Sequence, residues 1–271
     1  MTGFWRPLEW RLRRATCRLR ALPDFLLIGA PRTGTTSLYR YLVEQPAIVP
    51  AFRKETHFFN RTEEFERGAC HYRANFALQA TMGGRITGEA TPTYLLRPRV
   101  PERVAEMIPD VKMIVILRDP VERAISSWSH FARMGLEPRS LEEAIAEELE
   151  ALGDPRNDPG PAPEARPGMK DFAHVHYGRY ADHLSRWYAI FDRDRFLVMT
   201  TEELAEDPTG TYLRVLAHLG VSPEAMPVFE RHNAAPREQP EAKVRGWLEV
   251  YFSEPNRDLA ALTGINADWI A

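Results

Sequence analysis

Three groups of residues in this chain could do chemistry together. In DFLLIGAPRTGTTSLYRYLVE, residues 24–44, four residues separate Gly29 from Gly34, and Arg32, Thr33, Thr35, Thr36 and Ser37 crowd the same turn. A glycine loop between a strand and a helix aims several backbone N–H groups and the positive end of a helix dipole at one point, which is what an oxyanion such as phosphate needs. In RDPVERAIS, Arg118 and Ser126 stand eight apart behind another apolar run, a second place to hold an anion. In RKETHFF, Glu55 and His57 lie two apart between cations and an aromatic pair, and either side chain could take a proton. The plainer reading of that last cluster is a surface strand with buried phenylalanines.

The elements that must position these residues are legible from pattern. Phe25 to Ile28 form a short apolar run predicted to be a buried strand, and Leu38, Tyr39, Leu42 and Val43 recur at helical spacing after the loop. Lys112 to Leu117, KMIVIL, predicts a second core strand; Asp119 is then an N-cap and Pro120 the first helical residue, which puts Arg118 at the carboxyl edge of the sheet, where α/β folds bind ligands. Ser126 falls about two turns into that helix. A rival reading makes Asp119 a magnesium ligand, but Arg118 would sit beside the metal and the cap already accounts for the aspartate. Arg85–Tyr94 reads as a strand opening into a loop, and Arg195–Thr200 as a third buried strand. Helices are expected over Thr62–Leu78, from Pro101 through Ile108, from the Ser140–Glu143 capping box to Leu152, from an opening at Tyr177–Tyr180 through Phe191, and over Thr209–Gly220. The stretch WLEVYFSEPNRDLAALTG reads as two short helices. Residues 153–168 hold five prolines and three glycines, a long loop that is either a lid or acceptor-binding segment or a plain insertion.

Composition narrows the class. At 271 residues, 44% hydrophobic and 27% charged, the chain suits one α/β domain over residues 24–271 preceded by a basic segment, with no internal repeat. A formal charge of −3 gives no reason to expect a nucleic-acid partner, and no uninterrupted apolar stretch is long enough to span a bilayer. Residues 1–23 carry Arg6, Arg11, Arg13, Arg14, Arg18 and Arg20 against the single acid Glu9, interleaved with Phe4, Trp5, Leu8, Trp10, Leu12 and Leu19. Two readings stay open: an amphipathic helix packing its aromatic face on the domain, or one touching a membrane surface or an anionic substrate. Cys17 and Cys70, few and far apart, suit free thiols and a cytoplasmic location.

The loop has the spacing of a nucleoside-triphosphate P-loop, but Thr35 stands where that loop carries lysine, and the cation is displaced to Arg32. Kinase chemistry depends on that lysine together with magnesium, so ATP is disfavoured. With P-R-T-G-T-T after a buried strand, K-E-T-H-F-F one helix later and R-D-P-V-E-R-A-I-S beyond, the chain resembles the sulfotransferases that use 3'-phosphoadenosine 5'-phosphosulfate (PAPS), in particular the carbohydrate (heparan-type) branch. The resemblance runs from Asp24 to Gly264. It implies a P-loop-like three-layer α/β fold, a central parallel sheet flanked by helices, and it implies PAPS as donor, adenosine 3',5'-bisphosphate as product and no metal. The loop Arg32, Thr33, Gly34, Thr35, Thr36 and Ser37 would bind the 5'-phosphosulfate, with Arg32 neutralising charge on the bridging oxygen. Arg118 and Ser126 would bind the 3'-phosphate. Glu55 would be the general base, with His57 packed or orienting beside it. Arg237 would belong to a basic loop closing over the nucleotide, although the usual K-[SG]-x-G-R form is absent.

One departure bears on the acceptor: where the family often shows G-E-K-[ST]-P, this chain has Ala90 in GEATP, which removes a cation near a heparan-like acceptor. Carbohydrate, lipid and small natural-product acceptors, and transfer to oxygen or nitrogen, all stay open, as does oligomeric state. The competing functions are a small-molecule kinase using ATP and a non-catalytic nucleotide-binding or membrane-surface module. A free carboxylate with a pKa of about 4 would be a better base if partly buried, a shift that Lys54 would oppose.

Overall fold

The computed structural model describes residues 6–157, 160, 173–229 and 242–270. Its elements in chain order are α1 (Arg6–Ala15), β1 (Phe25–Gly29), α2 (Thr35–Val43), β2 (Ile48–Pro50), α3 (Thr62–Phe65), α4 (Gly68–Arg73), β3 (Ile86–Ala90), α5 (Val100–Met107), β4 (Lys112–Leu117), α6 (Pro120–Arg133), α7 (Leu141–Leu152), α8 (Tyr180–Tyr188), β5 (Phe196–Thr200), α9 (Thr201–Glu206), α10 (Pro208–Leu219) and α11 (Ala242–Thr263). The five strands form one sheet in the order β2-β3-β1-β4-β5, every neighbouring pair parallel. A sheet of this kind is buried on both faces, which is why β1 and β4 read as continuous apolar runs rather than alternating ones. Alternate residues nevertheless serve opposite layers. Leu26, Ile28, Met113 and Val115 pack with Val104 of α5 and Leu184 and Trp187 of α8. Phe25, Leu27, Ile114 and Ile116 pack with Leu38 and Leu42 of α2 and Val215 and Leu216 of α10. This is the expected three-layer α/β fold.

Parallel pairing has one consequence for function. The segments that follow each strand all leave from the same carboxyl edge, so the glycine loop after β1, the Lys54–His57 segment after β2, the turn after β3, Arg118 after β4 and Thr201 after β5 are brought together there. A third apolar cluster, joining Val121 and Ile125 of α6 to Ile145 of α7 and Leu248 and Phe252 of α11, supports the helix that carries Ser126.

Three expectations need correction. The helix expected over Thr62–Leu78 is two short helices, parted at Gly68, whose φ of 76° cannot continue a right-handed turn. The two C-terminal helices are one, because Val244, Leu248, Tyr251, Phe252, Pro255 and Leu259 make a continuous buried stripe on both sides of the proline. The two cysteines are not free thiols: Cys17 and Cys70 form a disulfide with Cα atoms 5.2 Å apart. The contact that sequence distance hid is made by buried arginine; Arg20 donates to Phe76 O at 2.7 Å and Arg73 to Arg20 O at 2.6 Å, seating the turn after α1 on α4. The disulfide also withdraws the cysteine argument for a reducing compartment. As for α1, Trp10 stacks on Phe52 and Arg13 reaches Ala74 O and Phe76 O, while Leu8 and Leu12 stay exposed.

Gly29 sets the exit from β1. A Cβ there would lie 2.6 Å from Leu95 Cβ and 2.9 Å from Pro92 O, contacts the packed core does not accommodate without moving the turn after β3. Gly29→Ala is therefore expected to cost about 1–3 kcal/mol of stability by overpacking. A urea midpoint unchanged from wild type would show that this approach is not a constraint.

Candidate active site

The glycine loop is braced from within and from behind. Ala30 N donates to Ile116 O at 2.8 Å, Thr33 Oγ1 to Ala30 O at 2.6 Å, and the Thr201 hydroxyl lies 2.8 Å from Thr33 O and 2.9 Å from Leu117 O. Thr201 thus ties the loop to the end of β4 through the first residue of α9. Gly34 caps α2 with φ 90°, a conformation glycine adopts without strain. Ser37 N and Leu38 N are engaged with Gly34 O, which leaves Ser37 its hydroxyl. By contrast, among the described residues the amides of Thr33, Gly34, Thr35 and Thr36 have no acceptor. Four unpaired N–H groups at a helix start are an anion-binding arrangement.

Across from the loop, α6 supplies cations. The Arg32 side chain leans toward it, with Nη2 3.5 Å from Ser126 Oγ, so the loop and the Arg118–Ser126 motif converge. Arg118 contacts Glu122 at 3.4 Å, and its carbonyl accepts from Tyr180 OH at 3.0 Å. Asp119 caps α6 as expected, accepting from Val121 N at 2.8 Å. Around Arg32, like charge dominates among the described residues. Burial, then the charges of Arg133, Arg118 and Arg123, hold the Arg32 guanidinium below its ordinary value, and its buried Nε has no partner among the described residues. Burial and the nearby Arg32 and Arg133 likewise hold His130 below the ordinary histidine value. Arg32 also adopts φ 72°, an uncommon region for a non-glycine residue.

On the other flank, Lys54 Nζ donates to Thr36 Oγ1 and to Glu55 Oε1, both at 2.9 Å, joining the Lys54–His57 segment to the loop. His57, at φ 53°, places Nε2 3.5 Å from Glu55 Oε2. Asn60 Nδ2 lies 3.3 Å from His57 Nδ1; with the amide donating there, the ring proton sits on Nε2, facing Glu55. Glu55 is 42% exposed, and hydrogen bonding from His57, with a further contribution from Lys54, outweighs its partial burial to hold its carboxyl at about 2. Though partly buried, it is not the more basic carboxylate that would favour proton abstraction.

The buried carboxylate is Glu89, which the sequence reading passed over. It accepts from Thr56 Oγ1 and Thr91 Oγ1 at 2.7 Å, Tyr72 OH at 2.9 Å and Tyr94 OH at 3.0 Å. Desolvation raises its pKa against those donors. Through Thr56 it fixes the residue between Glu55 and His57. Phe58 and Phe59 pack beneath against Tyr72 and Tyr94, so the phenylalanines are core while Glu55 and His57 face outward on a loop. The signal in sequence was one glutamate inside a strand that is buried throughout its last four residues. Lys54 was expected only to oppose an upward shift of Glu55, as it does; its contact with Thr36, and Thr201 altogether, were missed, since these join segments far apart in sequence. Arg237 and most of residues 153–168 lie outside the described residues.

A family model for the sulfotransferase domain matches residues 22–233. The chain belongs to the sulfotransferase family. Among its curated relatives are the human heparan sulfate glucosamine 3-O-sulfotransferase 6, 34% identical over 203 residues and 74% of this chain, and the human bifunctional heparan sulfate N-deacetylase/N-sulfotransferase 3, 33% identical over 208 residues and 74% of this chain. The chain spans 53% of the first relative's length and 23% of the second's. A crystal structure of a sulfotransferase from Alicyclobacillus acidocaldarius superposes with a TM-score of 0.72 at 26% identity, covering 92% of this chain and 99% of that one.

Strain and like charge at Arg32 yield a test of the site without any acceptor. Arg32→Gly relieves both, so the ligand-free protein is expected to gain about 1 kcal/mol in chemical denaturation while losing affinity for nucleotide at least about tenfold. A destabilised variant would show that Arg32 holds the fold rather than a ligand.

Proposed function

We propose that this protein is a PAPS-dependent sulfotransferase that transfers a sulfuryl group to a hydroxyl or amine of a carbohydrate. The observation that carries the reading is the convergence of two anion-binding motifs on one cation-rich edge, with a carboxylate and a histidine on the adjoining segment. The unpaired amides of Thr33 to Thr36 and the orphaned Nε of Arg32 fit a phosphate-bearing ligand. Arg118 and Ser126, on the far side of Arg32, would take the 3'-phosphate and so separate PAPS from nucleotides that lack it. The carbohydrate class is supported by the heparan sulfate enzymes among its relatives.

When bound, PAPS supplies an activated sulfuryl group on a phosphosulfate bridge. Glu55 accepts the acceptor's proton as its oxygen or nitrogen bonds to sulfur; the bridging S–O bond breaks, and its electron pair stays on the 5'-phosphate of adenosine 3',5'-bisphosphate. The cationic edge stabilises that growing negative charge. His57, with its proton toward Glu55, orients the carboxylate. Threonine in place of the loop lysine argues against a kinase.

Arg118→Ala is expected to weaken adenosine 3',5'-bisphosphate by about 2–4 kcal/mol, the loss of a charge-assisted contact in a desolvated site, with little change for adenosine 5'-phosphate. Equal losses for the two nucleotides would overturn the 3'-phosphate assignment. Glu55→Gln should lower kcat by about 10² or more with donor affinity nearly unchanged, and His57→Ala should cost less. A nearly active Glu55→Gln protein beside an inactive His57→Ala protein would exchange the two roles.

A further inference from the structure

Arg32 leans toward Ser126, so the cation that meets the loop at Thr36 comes from elsewhere. Lys54 Nζ sits 2.9 Å from both Thr36 Oγ1 and Glu55 Oε1, and its side chain is 29% exposed. The segment that carries it is fixed: Lys54 O accepts from Ala90 N at 3.3 Å, and two residues on Thr56 is held by the buried Glu89. An ammonium has three N–H donors, and two of these are engaged. We propose that Lys54 is a further catalytic residue: its third donor binds the sulfonate oxygens of the donor, and the same ammonium governs how readily Glu55 takes a proton. This rests on the donor reading above and adds to it a residue that joins donor and base.

The coupling has a direction. The groups facing Glu55 among the described residues are the Lys54 ammonium and the His57 imidazole, both on its own segment; the elements packed against that segment bring the neutral Thr36 hydroxyl and Glu89, which is occupied by four hydroxyls. Held first by the His57 hydrogen bond and then by Lys54, Glu55 is a weak base. As the ammonium engages an anionic oxygen its hold on the carboxylate slackens, and the proton affinity of Glu55 rises. The base is therefore strengthened when a sulfonate is present to be transferred.

The test compares wild type, Lys54→Met and Lys54→Arg by three readouts. By calorimetry without acceptor, Lys54→Met should lose roughly tenfold in affinity for PAPS but less than about threefold for adenosine 3',5'-bisphosphate, which lacks the sulfonate. By carbon-13 NMR of labelled glutamate, with Glu55→Gln assigning the resonance, the Glu55 titration should move up by about one pH unit or more in Lys54→Met, because a carboxylate that loses a cationic partner binds its proton more tightly. In turnover, kcat should fall in Lys54→Met and recover in part in Lys54→Arg. Equal losses for the two nucleotides would mean that Lys54 merely props the loop through Thr36 and would overturn the proposal, as would an unmoved Glu55 titration. Failure of wild type to bind adenosine 3',5'-bisphosphate would fell the donor reading itself, an outcome separate from either of those.

Discussion

The structure is arranged around positive charge that the described residues do not neutralise. Arg32 is partly buried among Arg118, Arg123 and Arg133, and among the described residues its Nε has no partner and four amides of the adjoining loop have no acceptor. Guanidinium groups repelling one another in a site of reduced dielectric raise the energy of the ligand-free protein. Such an arrangement persists because its surroundings over-determine it. The parallel sheet delivers loop and arginines to one edge, Thr201 locks the loop to β4, Gly34 supplies the left-handed turn, and Asp119 starts α6 so that Ser126 faces Arg32. An anionic ligand would offset the repulsion, and under the proposed function the 5'- and 3'-phosphates of the nucleotide would do so.

The other flank shows how environment divides the roles of two glutamates. Glu89 is sealed in the core under four hydroxyl donors and keeps its segment in place; Glu55, half exposed and paired with Lys54 and His57, is ionised and accessible. Glu89 could not take a proton from an incoming acceptor, because no acceptor reaches it. Glu55 can be reached, and its weakness as a base in the resting protein follows from the His57 hydrogen bond and from Lys54, which also ties it to the loop. Reach and basicity are thus in opposition at this site, and Lys54 is where the two meet.

How much of this was legible from sequence depends on the range of the interaction. Strand β4 and its boundaries, the Asp119 cap, the Ser140–Glu143 capping box and the strand–loop–helix around Gly29 and Gly34 are local, and the chain displays them openly. Gly68 and Pro255 misled in opposite ways: a glycine in a helical pattern did break it, because the backbone adopts a positive φ there, while a proline did not, because a buried stripe runs through both sides of it. The contacts that complete the site, Lys54 to Thr36, Thr201 to Thr33 and Glu89 to Thr56, join segments that are far apart in sequence and that the sheet brings together. The Cys17–Cys70 bond was hidden by the same kind of distance, 53 residues.

The central claim is that the charged edge is built for a 3'-phosphorylated adenosine nucleotide and not for a nucleoside triphosphate. Calorimetric titration of the wild-type protein with adenosine 3',5'-bisphosphate, and separately with ATP and magnesium under the same salt, tests it most directly. The account predicts clear saturable binding of the bisphosphate and much weaker binding of ATP; tighter binding of ATP with magnesium would contradict it.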